Sequence, residues 1–119
     1  MDTRSKIIDA AQARSLAATG GTADILMISG YFDPLVSSHA KRLAELKTGG
    51  AKLLVVIATP INAILPARAR AELVAALAVV DYVTEADGSL TPQIRLEHED
   101  EARLDALIEH VNARQRAAG

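Results

Sequence analysis

Apolar residues change their spacing several times along this chain, from near-helical to continuous and back. Residues 24–30 (Asp24-Ile25-Leu26-Met27-Ile28-Ser29-Gly30) and 52–58 (Lys52-Leu53-Leu54-Val55-Val56-Ile57-Ala58) are almost unbroken apolar runs. That composition predicts parallel strands covered on both faces. Between them, residues 37–47 set Ala40, Leu43, Ala44 and Leu46 against Lys41, Arg42, Glu45 and Lys47, and Gly49-Gly50 follows. This is the pattern of an amphipathic helix and its stop, with Ser37 or Ser38 as the expected N-cap. Strand, helix and strand together make one βαβ unit.

The flanks extend the alternation. Ile7, Ile8, Ala11 and Leu16 predict a leading helix over residues 5–18, closed by Gly20-Gly21. A loop over residues 59–66 holds two prolines and Asn62, and an Ala-rich helix is expected over 67–80. A short strand follows at 81–84, then a turn at Asp87-Gly88, a last strand within 93–97 and a charged closing helix over 100–116. The expected architecture is α/β: a Rossmann-like three-layer sandwich with a mostly parallel sheet of about four strands. No internal repeat or linker interrupts it, so residues 1–119 read as a single domain.

Composition narrows the functions this fold serves. Of the 119 residues half are hydrophobic but only 3% are aromatic, so the core is built from Ala, Leu, Val and Ile. Stacking on nucleobases is therefore a poor candidate for the main activity. The formal charge of −2 provides no basic footprint, which argues against nucleic acid and acidic membrane surfaces as partners. Cysteine is absent, which removes disulfides and thiolate chemistry. No apolar run approaches the ~18–20 residues of a membrane span, and Asp2 and Asp9 interrupt any leader-like start. A cytoplasmic protein is expected.

Candidate chemistry concentrates at Gly30-Tyr31-Phe32-Asp33-Pro34-Leu35-Val36-Ser37-Ser38-His39, where the first apolar run passes directly into the amphipathic helix. Open α/β sheets bind ligands beyond the carboxyl ends of their strands, and the amides of a helix N-terminus there favour anions. Gly30, Tyr31, Phe32, Asp33, Ser37, Ser38 and His39 are the candidate ligand- and phosphate-binding residues, and His39 is the candidate catalytic one. Blander roles stand beside these. Ser at a helix start caps an orphan amide, Asp before Pro begins a turn, and His in a first helical turn is commonly a solvated or capping side chain.

The same stretch resembles the signature of the cytidylyltransferase-like nucleotidyltransferases, Gly-x-Phe-Asp-x-x-His-x-Gly-His. Gly30, Phe32, Asp33 and His39 match it, whereas Val36 stands in place of the first His and Ser38 in place of the Gly. The segment from Leu65 to Val83 is similar to the family helix that ends in Val-Asp-x-Val, and the resemblance spans roughly residues 5–84. The family's basic residue after the second strand has no counterpart in 59–66. Nothing after Thr84 resembles its Ser/Thr/Arg-rich phosphate loop, so the domain reads as truncated.

What the resemblance implies is attack on the α-phosphate of a nucleoside triphosphate, helped almost wholly by positioning and electrostatics. Losing one preorganised donor to the developing charge costs on the order of 3 kcal/mol. The expectation is thus a divergent member that binds a nucleotide or phosphorylated small molecule with weak or no transfer. Two alternatives stand: an active enzyme forming a nucleotide-activated sugar or alcohol phosphate, with Mg2+ accompanying the triphosphate, and a non-catalytic scaffold. A second copy of the chain, met through Leu104, Leu107, Ile108 and Val111, is the partner the scaffold allows. Glu97-His98-Glu99-Asp100-Glu101 lacks the spacing of a metal site, and acidic residues favour a helix start without any ligand.

Overall fold

The computed structural model describes residues 2–18, 25–47 and 50–97. Its elements are α1 (Ala10–Ala18), β1 (Ile25–Gly30), α2 (Ser37–Leu46), β2 (Lys52–Ile57), α3 (Ala67–Ala75), β3 (Tyr82–Glu85) and β4 (Ile94–Arg95), preceded by a 3-10 turn over Thr3–Lys6. All four strands are parallel and lie in the order β3-β2-β1-β4. The expected α/β sandwich is therefore present, with a wholly parallel sheet. The predicted closing helix, His98 to Glu101 and His110 lie outside the described residues.

β2 is an interior strand, and after the exposed Lys52 nothing in it meets water: Leu53, Leu54, Val55, Val56 and Ile57 are all at most 1% exposed. Each such side chain contributes about 1.5–3 kcal/mol by burial. Alternation divides them between two layers. Leu53, Val55 and Ile57 join Ile28, Leu43, Val74 and Val83 under α2 and α3. Leu54 and Val56 join Met27 and Ala13 under α1.

The leading helix predicted over 5–18 is divided. Ile7 pairs in parallel with Val83, and the Ile8 amide donates to the Val83 carbonyl at 2.8 Å, so this segment runs along the outer edge of β3. The helix begins only at Ala10, where Asp9 and Gln12 cap each other: the Gln12 amide donates to Asp9 Oδ1 at 2.7 Å and the Asp9 amide to Gln12 Oε1 at 3.0 Å. This is a capping box, and it fixes the helix start better than the Ile spacing does.

α3 also stops earlier than its Ala-rich composition predicts, at Ala75 rather than near residue 80. Val80 enters the core and Asp81 ties the start of β2, accepting from the Leu53 amide at 2.8 Å and Lys47 Nζ at 2.6 Å. Burial raises the Asp81 pKa, but those two hydrogen bonds and the charge of Lys47 outweigh it, leaving the carboxyl below its ordinary value. A longer helix would carry Asp81 away from both donors.

Candidate functional site

The strand order reverses direction at β1, with β2 on one side and β4 on the other. Such a switch point leaves a crevice outside the carboxyl ends of the strands. β1 ends at Gly30, and the chain then turns back on itself: Phe32 adopts φ +49°, a left-handed conformation uncommon for an aromatic residue. Its ring folds over Gly30 so closely that a Cβ there would meet ring atoms at 2.6 and 2.7 Å. Glycine is required here by contact, and Phe32 itself is 1% exposed.

The loop leads into α2 through Val36, the N-cap residue, whose side chain offers no acceptor. Ser37 and Ser38 are the first helical residues, so the expected serine cap does not form. His39 compensates from the third position, its Nδ1 accepting from the Val36 amide at 3.2 Å. With Nδ1 as acceptor, the neutral ring carries its hydrogen on Nε2. The imidazole also meets the Phe32 ring edge-on at a centroid distance of 5.3 Å. The helix thus starts with its first amides, at Ser37 and Ser38, lacking any carbonyl one turn earlier.

Two ties lock this loop to the one after β2. Asp33 accepts from the Ile64 and Leu65 amides at 2.6 and 2.7 Å, bridging the two loops. The Ile64 amide is the main cause holding the Asp33 carboxyl below its usual value; partial burial opposes it, and the Leu65 amide and the charge of Arg70 add to it. Arg70, 1% exposed, donates to the carbonyls of Leu65 (3.0 Å), Tyr31 (3.0 Å) and Ala58 (2.6 Å), and to Thr59 Oγ1 (3.3 Å). This guanidinium is a clamp that joins the exits of β1 and β2, which removes it from direct contact with a ligand.

These ties leave an open cleft of about 430 Å³ lined by Tyr31, Phe32, Asp33, Pro34, Val36, Ser38, His39, Pro60, Asn62 and Ile64. Seven of its ten described lining residues fall in the stretch singled out from the sequence. Of the candidate residues, Tyr31, Phe32, Asp33, Ser38 and His39 line the cleft, Gly30 lies beneath the Phe32 ring and Ser37 opens α2. No Lys or Arg is among the described lining residues. Pro60, Asn62 and Ile64 come from the second loop, which the sequence marks only by its prolines.

On the other face of the sheet the strand ends carry a different polar group. Ser29 Oγ lies 2.8 Å from both oxygens of Glu97, which is 6% exposed, and Arg95 reaches the same carboxylate at 3.8 Å. One hydroxyl proton is shared between those two oxygens. Two strands away, the hydroxyl of Thr84 is buried without a hydrogen-bond partner.

No family model matches the chain, and no curated protein matches it significantly. Among the described residues, no group of three His, Cys, Asp or Glu side chains is placed to hold a metal ion, and no helix is long and apolar enough to cross a membrane.

Proposed function

We propose that this chain is a divergent cytidylyltransferase-like nucleotidyltransferase domain that binds a nucleotide or phosphorylated small molecule at the exit of β1, with weak or no nucleotidyl transfer. The observation that carries the proposal is the cleft itself: it opens beyond the carboxyl ends of β1 and β2, Ser38 and His39 from the first turn of α2 line it, and Asp33 and Arg70 brace its two loops. A helix N-terminus at a strand exit is an anion site in many α/β proteins.

Weak transfer follows from the donors. Val36 supplies no side-chain donor, Arg70 is committed to carbonyls, and no other cation belongs to the described lining. A transferring site stabilises charge on several phosphoryl oxygens at once, and each absent donor costs on the order of 3 kcal/mol of that stabilisation. Magnesium would arrive with a triphosphate as part of the substrate. Asp33 does not fit the role of its anchor, since both its oxygens already accept amide hydrogens.

Thermal denaturation across nucleotides and sugar phosphates tests binding, paired with pyrophosphate exchange for each nucleoside triphosphate. A bound ligand at 100 times its Kd adds about 2.7 kcal/mol, a shift of several degrees in a domain of this size. Exchange is expected to stay near background. Rapid exchange that His39→Ala abolishes would instead identify a working enzyme, and no shift with any ligand would identify a scaffold.

A further inference from the structure

The start of α2 gives an imidazole a task that usually falls to a carboxylate or a carboxamide. The Val36 carbonyl accepts from the His39 and Ala40 amides at 3.0 and 3.3 Å, and the Val36 amide donates to His39 Nδ1 at 3.2 Å. Val36 itself offers no side-chain acceptor. A Glu or Gln at this third helical position makes the same bond in a capping box. Histidine differs from both, because its ordinary titration falls between about pH 5 and 8.

Gaining a proton reverses the bond. With hydrogens on both ring nitrogens the imidazole only donates, so an N–H on Nδ1 would face the Val36 N–H, and the new charge would stand at the positive end of α2. Among the described residues, the ionisable groups on the surrounding elements do not offset this. Asp33, in the preceding loop, gives both oxygens to the Ile64 and Leu65 amides, and Arg70 beneath that loop is bonded to four oxygens. Tyr31 brings a phenol, Lys41 and Arg42 follow on α2 as further cations, and residues 58–66 hold no ionisable side chain.

We propose that His39 is a proton-operated latch on the cleft. Neutral, it fastens the loop after β1 to the first turn of α2; protonated, it releases the Val36 amide and swings off the Phe32 ring, which it otherwise meets edge-on at 5.3 Å. The motion has room. His39 is half-buried and lines an open cleft, and the released amide belongs to a residue that is 45% exposed. The change stays at the cleft wall, since His39 belongs to neither buried cluster. The latch acts on the shape of the cleft, whatever the cleft binds.

Nuclear magnetic resonance on the full chain between pH 8 and pH 5 tests this. At pH 8 the nitrogen shifts of His39 should show a bare Nδ1, and cross-relaxation should join its ring to Phe32, the chain's only phenylalanine. By pH 5 that cross-relaxation should be lost. Protection of the Val36 amide from solvent exchange, corrected for the intrinsic effect of pH, should fall about fivefold, the worth of one hydrogen bond. In His39→Gln, whose side-chain oxygen accepts without titrating, protection of Val36 should stay level across the range. The amides of β2 are the reference, and their protection should hold in both proteins.

A Val36 amide equally protected at both pH values, ring contact with Phe32 that persists at pH 5, or a hydrogen on Nδ1 at pH 8 would overturn the latch. An equal fall in His39→Gln would overturn it too, by assigning the change to other groups. So would a loss of β2 protection in the parent alongside that of Val36, which marks general unfolding. Should the Gln variant lose its β2 protection, the pH course of the parent alone decides among these outcomes.

Discussion

The two faces of the sheet treat a buried charge in opposite ways at the same end of the strands. Under α3, Arg70 has four oxygen acceptors, three of them main-chain carbonyls from both neighbouring loops. On the α1 face, Glu97 has one hydroxyl and a guanidinium at 3.8 Å, and the nearby Thr84 hydroxyl has nothing. A buried charge with every donor placed makes a rigid support, whereas a sparsely bonded one adds little to stability. The braced face is the one that carries the cleft. A floor held at fixed geometry is what recognition by a few amides needs.

The largest test of this contrast is Arg70→Met, which leaves the Tyr31, Ala58 and Leu65 carbonyls without their donor. Chemical denaturation should show a loss of about 3–5 kcal/mol, and ligand-induced stabilisation should vanish with it. Gly30→Ala comes next, since its Cβ collides with the buried Phe32 ring; about 1–3 kcal/mol is expected, with the cleft distorted. Thr84→Val, on the sparse face, should raise stability by about 1 kcal/mol, because an unpaired buried hydroxyl is replaced by a methyl of similar shape.

Glu97→Gln should change stability by less than about 1 kcal/mol, as the amide still accepts from Ser29. A loss as large as that of Arg70→Met would break the comparison.

The smallest effect concerns pH. The Asp33 and Asp81 carboxyls both sit below their ordinary value of 3.8 in the folded protein. Their contribution is complete above that value and is lost as pH falls through the lower folded values. Denaturation midpoints between pH 5 and 2 should therefore decline less steeply in Asp33→Asn and Asp81→Asn than in the parent.

How much of this was legible in the sequence depends on what each residue's role requires. The runs at 24–30 and 52–58 exposed β1 and β2 because a strand buried on both faces must be apolar throughout. The amphipathic spacing from Ser37 gave α2 within one residue of its observed end. The leading segment misled because Ile7 and Ile8 fit a helix face and an edge strand equally well. Asp9-Ala10-Ala11-Gln12 carried the deciding signal.

At the site, Gly30 to His39 was located by its place between strand and helix, but its partners were not, because Pro60 to Ile64 reach it only through the order of strands. The charge of Arg70 alone did not reveal its role. Its position four residues before Val74, on the buried stripe of α3, was the available hint. No local pattern could show that its acceptors are carbonyls 12 and 39 residues away.

The short stretch around Ile7 and Ile8 has a consequence for how copies of this chain behave in crowded solution. β3 is an outermost strand, and the Ile8 amide is bonded to its Val83 carbonyl. Detach that stretch and part of a flat, apolar border of unpaired peptide groups lies open, ready to template the same border of another molecule. A feature that contributes one bridge to the architecture thereby guards against runaway stacking of sheets.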